Sequence, residues 1–151
     1  MSDSGLKATI TSAMKESMRA RDKVRLGTIR LILSEIKRIE VDERIELDDV
    51  RVLAVLDKML KQRRDSISQY EAASRQDLAD VEIAEVSVIE TFLPTALTEQ
   101  EILELLDNAI STSGADSIRD MGKVMAVLKP QLQGRADVAS VSQLVKKRLS
   151  N

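Results

Sequence analysis

The sequence predicts an all-α protein in which an N-terminal four-helix domain with a long projecting helix precedes a C-terminal three-helix bundle. Hydrophobic residues make up 43% of the 151 residues, enough for a core. With one Tyr, one Phe and no Trp, that core must be aliphatic. Only five Gly and two Pro occur, which disfavours the many tight turns of a β protein. Apolar residues also recur three and four positions apart, as on one face of a helix.

Two helices are predicted in the first 41 residues. The first, about 4–20, carries four apolar residues spaced four apart: Leu6, Ile10, Met14 and Met18. Asp22 is a suitable N-cap for the second helix, about 23–41. The apolar band of this second helix is wide, so we expect it to contact more than one neighbour. Gly27 either permits a close helix crossing or is simply tolerated there.

The third helix is predicted to begin near the acids at 48–49 and to reach Ala73, and the fourth covers about 77–92. A continuous third helix is about 36 Å long. Its second half is polar over 61–66. We therefore expect the third helix to project beyond its packing partners, where it offers a surface to a protein partner.

Pro94 marks the predicted domain boundary, because the residue before a proline is disfavoured in the α region. The sequence thus predicts an N-terminal helical domain at 1–93, a linker at 94–97 and a C-terminal domain at 98–151. Both proposed domains are long enough to bury a small core.

Three further helices are predicted after the boundary. Thr98 and Glu101 have the spacing of a capping box, and Gly114 is a suitable C′ residue for the helix that follows them. The sixth helix is predicted at about 117–131, curtailed by Pro130. Asp137 is a suitable cap for the seventh, at about 138–149.

The missing residue types exclude several kinds of chemistry. Without Cys the chain has no thiolate nucleophile and no Cys-based zinc site, and without His it lacks the commonest general base and metal ligand. We therefore predict no catalytic residue, no metal site and no cofactor. No basic segment leads into an apolar run at the start, and no apolar stretch approaches about 18 residues. The prediction is a cytoplasmic protein without membrane contact.

The last third of the chain is basic. From Ala115 onward seven basic residues face three acidic ones, a balance of +4 in a chain whose net charge is −2. Such a surface favours an anionic ligand, and RNA is the obvious candidate. Six residues are candidate RNA ligands: Lys123, Lys129, Arg135, Lys146, Lys147 and Arg148.

Each candidate also has a simpler interpretation. Lys123 lies near the start of the sixth helix, where we expect it beside the turn bearing Arg135, and a helix N-terminus with a nearby lysine suits a phosphate. Solvated charge is the alternative for both residues. The basic residues at 146–148 lie in a last helical turn, where the helix dipole alone favours cations.

A second basic cluster consists of Lys61, Arg63 and Arg64. For this cluster we favour ion pairing over a ligand site. The candidate partners are four acids: Asp65, Glu71, Glu82 and Glu85. The scarcity of aromatic residues excludes base stacking as a main binding term, so any RNA contact should depend on phosphates and shape.

Several motifs in fixed order resemble the YqeY family along essentially the whole chain. They are Met18-Arg19-Ala20-Arg21-Asp22-Lys23-Val24-Arg25-Leu26, Lys61-Gln62-Arg63-Arg64-Asp65-Ser66-Ile67, Tyr70-Glu71, Phe92-Leu93-Pro94, Asp120-Met121-Gly122-Lys123-Val124-Met125 and Gly134-Arg135-Ala136-Asp137. The part from about Leu97 to Leu149 is also similar to the tail domain of GatB, the tRNA-holding component of the aspartyl/glutamyl-tRNA amidotransferase.

The resemblance implies an all-helical, two-domain protein linked to tRNA, because the amidotransferase tail helps to hold the tRNA substrate. Family naming also implies a carbon–nitrogen ligase with glutamine as amido donor. This chain is too short for the kinase portion of GatB and shows no GxxxxGK[ST] loop. Our leading hypothesis is a non-catalytic, tRNA-associated accessory protein. The alternatives are a component with that ligase activity in tRNA amidation and a helical protein–protein interaction module.

Overall fold

The computed structural model describes residues 5–150, and every regular element in that range is helical, which confirms the all-α class. The elements are α1 Leu6–Ala20, α2 Lys23–Glu43, α3 Asp49–Ala72, α4 Gln76–Glu90, α5 Glu99–Ser113, a 3-10 turn Ile118–Asp120, α6 Met121–Leu132 and α7 Val138–Leu149. The predicted start of the first helix, residue 4, lies outside the described residues. No helix in the described range has both the length and the apolarity needed to span a bilayer.

The chain packs as two units, Met1–Leu93 and Pro94–Asn151, and each has a core of its own. We call them the N-terminal unit and the C-terminal unit. The break falls between Leu93 and Pro94, where the proline keeps the preceding residue out of the helical region.

Side-chain caps set where four of the helices begin. Asp22 and Asp48 each accept a hydrogen bond from the backbone N–H three residues further on, at 3.1 and 2.9 Å. Asp137 accepts one from two residues on, at 3.2 Å. Thr98 and Glu101 form the predicted capping box, with both reciprocal bonds at 3.1 Å. A cap of this kind contributes about 1 kcal/mol to helix stability.

The core of the N-terminal unit is aliphatic, as the composition requires. Helices α1 to α4 contribute to it, and its most deeply buried members are Ile10, Ile29, Ile32, Ile36, Val52, Leu56 and Ile89. Burial of one such side chain contributes roughly 1.5–3 kcal/mol relative to exposure. Gly27 lies on the exposed side of α2, and a Cβ at this position would meet no atom within 4 Å. It therefore serves no helix crossing within the described structure.

Helices α3 and α4 form a hairpin. α3 has 24 residues, about 36 Å, and the three-residue connection after it sends α4 back along its surface. Leu60 is the last α3 residue of the main core, yet α4 packs along the helix beyond it. The expectation of a third helix projecting beyond its packing partners is therefore wrong in one respect, because the extension is one arm of a hairpin.

The C-terminal unit places α5, α6 and α7 around a second aliphatic core. Its central members are Leu106, Ala109, Val124, Leu128, Leu132, Val141 and Val145. α5 ends at Gly114, whose φ of 69° favours glycine. α6 runs through Pro130 to Leu132, contrary to the expected stop. Pro130 lies in the last turn, where it removes a single helical hydrogen bond, and the buried Leu132 anchors that turn in the core.

Candidate nucleic-acid interface

The positions of Lys123 and Arg135 differ from the sequence prediction. Lys123 lies in the first turn of α6, whereas Arg135 follows the end of that helix. The 12 residues of α6 rise about 18 Å. The two cations therefore lie at opposite ends of α6, and the expectation that they are neighbours is wrong.

Lys123 has an acidic neighbour within its own segment. Its Nζ lies 3.7 Å from Oδ1 of Asp120, and its side chain is 71% exposed. The other carboxylate oxygen of Asp120 accepts a hydrogen bond from the backbone N–H of Asp116 at 3.1 Å. This N–H is the main cause that lowers the pKa of Asp120, and the charge of Lys123 adds to the effect. An anion that approaches Lys123 therefore also meets a stable carboxylate.

Arg135 ties the segment after Pro94 to the turn after α6. Its Nε donates a hydrogen bond to the carbonyl oxygen of Thr95 at 3.1 Å, and its own carbonyl accepts one from the N–H of Leu97 at 2.9 Å. Gly134, with a φ of 74°, forms the turn that brings Arg135 into this position. Arg135 is thus engaged in the fold of the C-terminal unit.

The basic end of α7 is divided between paired and unpaired cations. Arg148 forms an ion pair with Asp107 of α5. Lys146 and Lys147 are exposed, and so is Lys129 in the last turn of α6; none of the three has an ion pair among the described residues. We call these three residues the C-terminal lysine set. α7 is about 18 Å long, so the set is spread over the unit and does not converge on a pocket.

The second basic cluster joins the two arms of the hairpin. Arg63 Nε donates to Glu85 Oε2 at 2.9 Å, and the two side chains are 15% and 20% exposed. Arg64 lies 3.6 Å from Glu90, and both of these side chains are about half exposed. Lys61 is exposed and has no ion pair among the described residues. Glu85 is one of the partners expected from the sequence, whereas Glu90 is not among them.

A further set of cations escapes the sequence prediction because it lies outside the basic C-terminal third. Lys23, Arg30, Lys37 and Arg44 follow one another at intervals of seven along α2 and its C-cap, and all four are exposed. We call them the α2 cation row. The sevenfold spacing of basic residues is the signal in the sequence that could have revealed it, since residues seven apart share a helix face.

The described residues contain no group of three or more His, Cys, Asp or Glu side chains that could hold a metal ion. The carboxylates of the described residues are instead engaged as caps and ion-pair partners in many places, such as Asp22, Glu85 and Asp107. The distribution of charge suits contact with an extended anion more than a compact catalytic centre.

Known proteins with similar sequences include several from fungi. The Kluyveromyces lactis protein named "Altered inheritance of mitochondria protein 41, mitochondrial" is 35% identical over 97 residues, which cover 62% of this chain and 52% of the relative. Proteins of the same name from Vanderwaltozyma polyspora and Pyrenophora tritici-repentis are 38% and 30% identical, and cover 53% and 82% of this chain and 44% and 68% of the relatives. The chain thus spans about half the length of the first two relatives.

These names contradict the predicted cytoplasmic location, because the relatives are named as mitochondrial proteins and point to the mitochondrion. The prediction rested on the absence of cysteine and of a secretory signal. Neither absence distinguishes the cytoplasm from the interior of a mitochondrion, since both features report on the secretory route and on oxidising compartments.

The sequence signature of the family described as "Yqey-like protein" matches residues 7–149. The match extends over both units and includes the basic motifs in each of them. The chain therefore belongs to the YqeY-like family.

Proposed function

We propose that this protein is a non-catalytic, tRNA-associated accessory protein whose C-terminal unit contacts the RNA backbone. The observation that carries the proposal is the C-terminal lysine set, Lys129, Lys146 and Lys147, which is exposed and free of ion pairs among the described residues. Lys123, Arg135 and Arg148, the other candidates, have protein partners and contribute less. The similarity of this unit to a tRNA-holding tail domain supports the same ligand class by analogy.

The test is the salt dependence of tRNA binding by the full chain. Each phosphate contact contributes roughly 0.7–0.9 to the slope of log affinity against log salt. The triple variant Lys129→Gln, Lys146→Gln, Lys147→Gln should therefore reduce the slope by about two to three. Mitochondrial tRNA belongs in the pool that is tested, because relatives are named as mitochondrial proteins.

A matched control replaces three exposed lysines of the N-terminal unit that lack ion pairs among the described residues. The variant Lys15→Gln, Lys58→Gln, Lys61→Gln removes the same charge and should leave the slope close to that of the unaltered protein. Equal losses in the two variants, or no binding of tRNA at low salt, would refute the proposal.

Two other functions would give different results. Nuclease-insensitive capture of a protein partner through the α3–α4 hairpin would favour an interaction module. Amide formation on tRNA that needs glutamine and ATP, and that stops when this chain is omitted, would favour a component of an amidation system.

A further inference from the structure

Helix α2 presents a face whose charged residues are all positive. Its buried residues Thr28, Ile29, Ile32 and Ile36 define the side that packs into the core. Lys23, Arg30 and Lys37 lie opposite that side, and Arg44 continues the row at the C-cap. At about 1.5 Å per residue, successive cations of the row lie about 10 Å apart along a helix of about 31 Å.

The acids of α2 do not neutralise this row, because each has a different partner. Arg38 pairs with Glu35 at 2.5 Å and with Asp42 at 3.3 Å. Glu40 and Glu43 pair with cations of other helices, Lys7 of α1 and Arg51 of α3, at 2.9 and 2.7 Å. All four carboxylates between Lys23 and Glu43 are therefore occupied. The α2 cation row has no ion pair among the described residues.

We infer that the α2 cation row is a second RNA-binding surface, which follows the phosphate backbone of a structured RNA. This inference rests on the proposed function for its ligand class, but it concerns the other unit of the protein. The spacing carries it, because cations about 10 Å apart are too widely separated to share one phosphate group. A polyanion with regularly repeated charge engages the whole row, whereas a small anion engages one member.

The residues between the cations favour RNA over a membrane or a protein partner. Gly27, Ser34 and Val41 are exposed on this face, and Val41 is the one apolar side chain of the three. Interfacial membrane helices insert several large apolar side chains, and protein interfaces depend on buried aromatic or arginine anchors. A single valine at one end of the row does not supply such an anchor, and the main apolar side of α2 is already buried in the core.

The experiment measures binding of the full chain to a short RNA hairpin between about 50 and 200 mM salt, the range in which phosphate contacts dominate. Arg30→Gln with Lys37→Gln should reduce the salt slope by about two. Gln retains the helix propensity of Lys and Arg, and circular dichroism verifies that the variant is folded.

The matched control is Lys15→Gln with Arg19→Gln. These residues are exposed on α1, lack ion pairs among the described residues, and include one Lys and one Arg like the test pair. The control should keep the slope of the unaltered protein. An unchanged slope in the Arg30 and Lys37 variant, or an equal loss in the control, would overturn the inference.

Three further arms separate the possible outcomes. A slope that falls only in the Lys129, Lys146 and Lys147 variant retains the proposed function and overturns the α2 assignment, whereas a slope that falls only in the α2 variant does the reverse. Polyglutamate should not displace the hairpin, and displacement at equal charge overturns the inference in favour of an acidic protein. Binding to phosphatidylserine vesicles that is lost in the α2 variant, without RNA binding, overturns it in favour of a membrane.

Discussion

Glu40 shows how a single carboxylate organises its surroundings. Its side chain is 10% exposed, and it accepts hydrogen bonds from Lys7 Nζ and from the backbone N–H of Leu47, each at 2.9 Å. Burial raises the pKa of Glu40, but the bonds from Lys7 and Leu47 outweigh burial, so the pKa lies below its usual value of 4.5. One side chain thus joins α1, α2 and the segment that leads into α3.

We expect Glu40→Gln to weaken the acid dependence of stability. Because the folded-state pKa is lowered, ionised Glu40 stabilises the fold above its unfolded-state pKa, and this stabilisation is lost as the pH falls through the folded-state value. Urea midpoints measured across the acid range test this. The difference between the unaltered protein and the variant should be widest above about pH 5 and should close towards about pH 3.

Glu16 provides the control for this measurement. It is an exposed glutamate of α1 without an ion pair among the described residues, and Glu16→Gln should change the urea midpoint much less. A Glu40→Gln difference that stays constant from neutral to acid pH would contradict the role assigned to the carboxylate.

At the scale of the element, the α3–α4 hairpin places two adjacent arginines in different environments. Arg63 and Glu85 are largely buried against each other, whereas Arg64 and Glu90 are half exposed. A charge that loses its partner in a buried setting keeps the full cost of desolvation, whereas an exposed pair is screened by water. Burial rather than sequence position therefore determines which pair stabilises the hairpin.

We expect Arg63→Met to destabilise the N-terminal unit by about 2 kcal/mol, because Glu85 loses a charged hydrogen-bond donor. Arg64→Met should cost less than about 0.5 kcal/mol. Both variants keep an unbranched side chain at adjacent positions, so urea unfolding compares them directly. Equal losses at the two positions would show that the depth of burial has no influence here.

At the scale of the whole molecule, the two units have separate aliphatic cores. Ile32 is fully buried in the core of the N-terminal unit, and Leu128 is fully buried in that of the C-terminal unit. No residue belongs to both clusters among the described residues. We propose that the units unfold independently, as domains with their own cores do.

Cavity-forming variants test this independence. We expect Leu128→Ala to destabilise the C-terminal unit by roughly 2–5 kcal/mol, because a buried leucine leaves a cavity behind. Hydrogen exchange should then accelerate in amides after Pro94 and remain unchanged before it. Ile32→Ala should give the opposite pattern. Acceleration throughout the chain in either variant would mean that the units unfold together.

The fold was predictable because its determinants are local. Caps at Asp22, Thr98 and Asp137, together with apolar residues spaced three and four apart, indicate most helix limits within a few residues. The state of the charges was not predictable in this way. Arg148 and Asp107 are 41 residues apart, and Arg63 and Glu85 are 22 apart. Only the packing of helices decides which cations meet a carboxylate and which remain available.

The segment between Pro94 and Thr98 is bonded to the C-terminal unit before any helix begins. Thr95 and Leu97 are both linked to Arg135, through the bonds at 3.1 and 2.9 Å described above. A truncation that starts at the capping box would keep every helix and still lose both bonds. The smallest portable version of this unit therefore starts at Pro94, and a fusion joint or reporter tag belongs upstream of that residue.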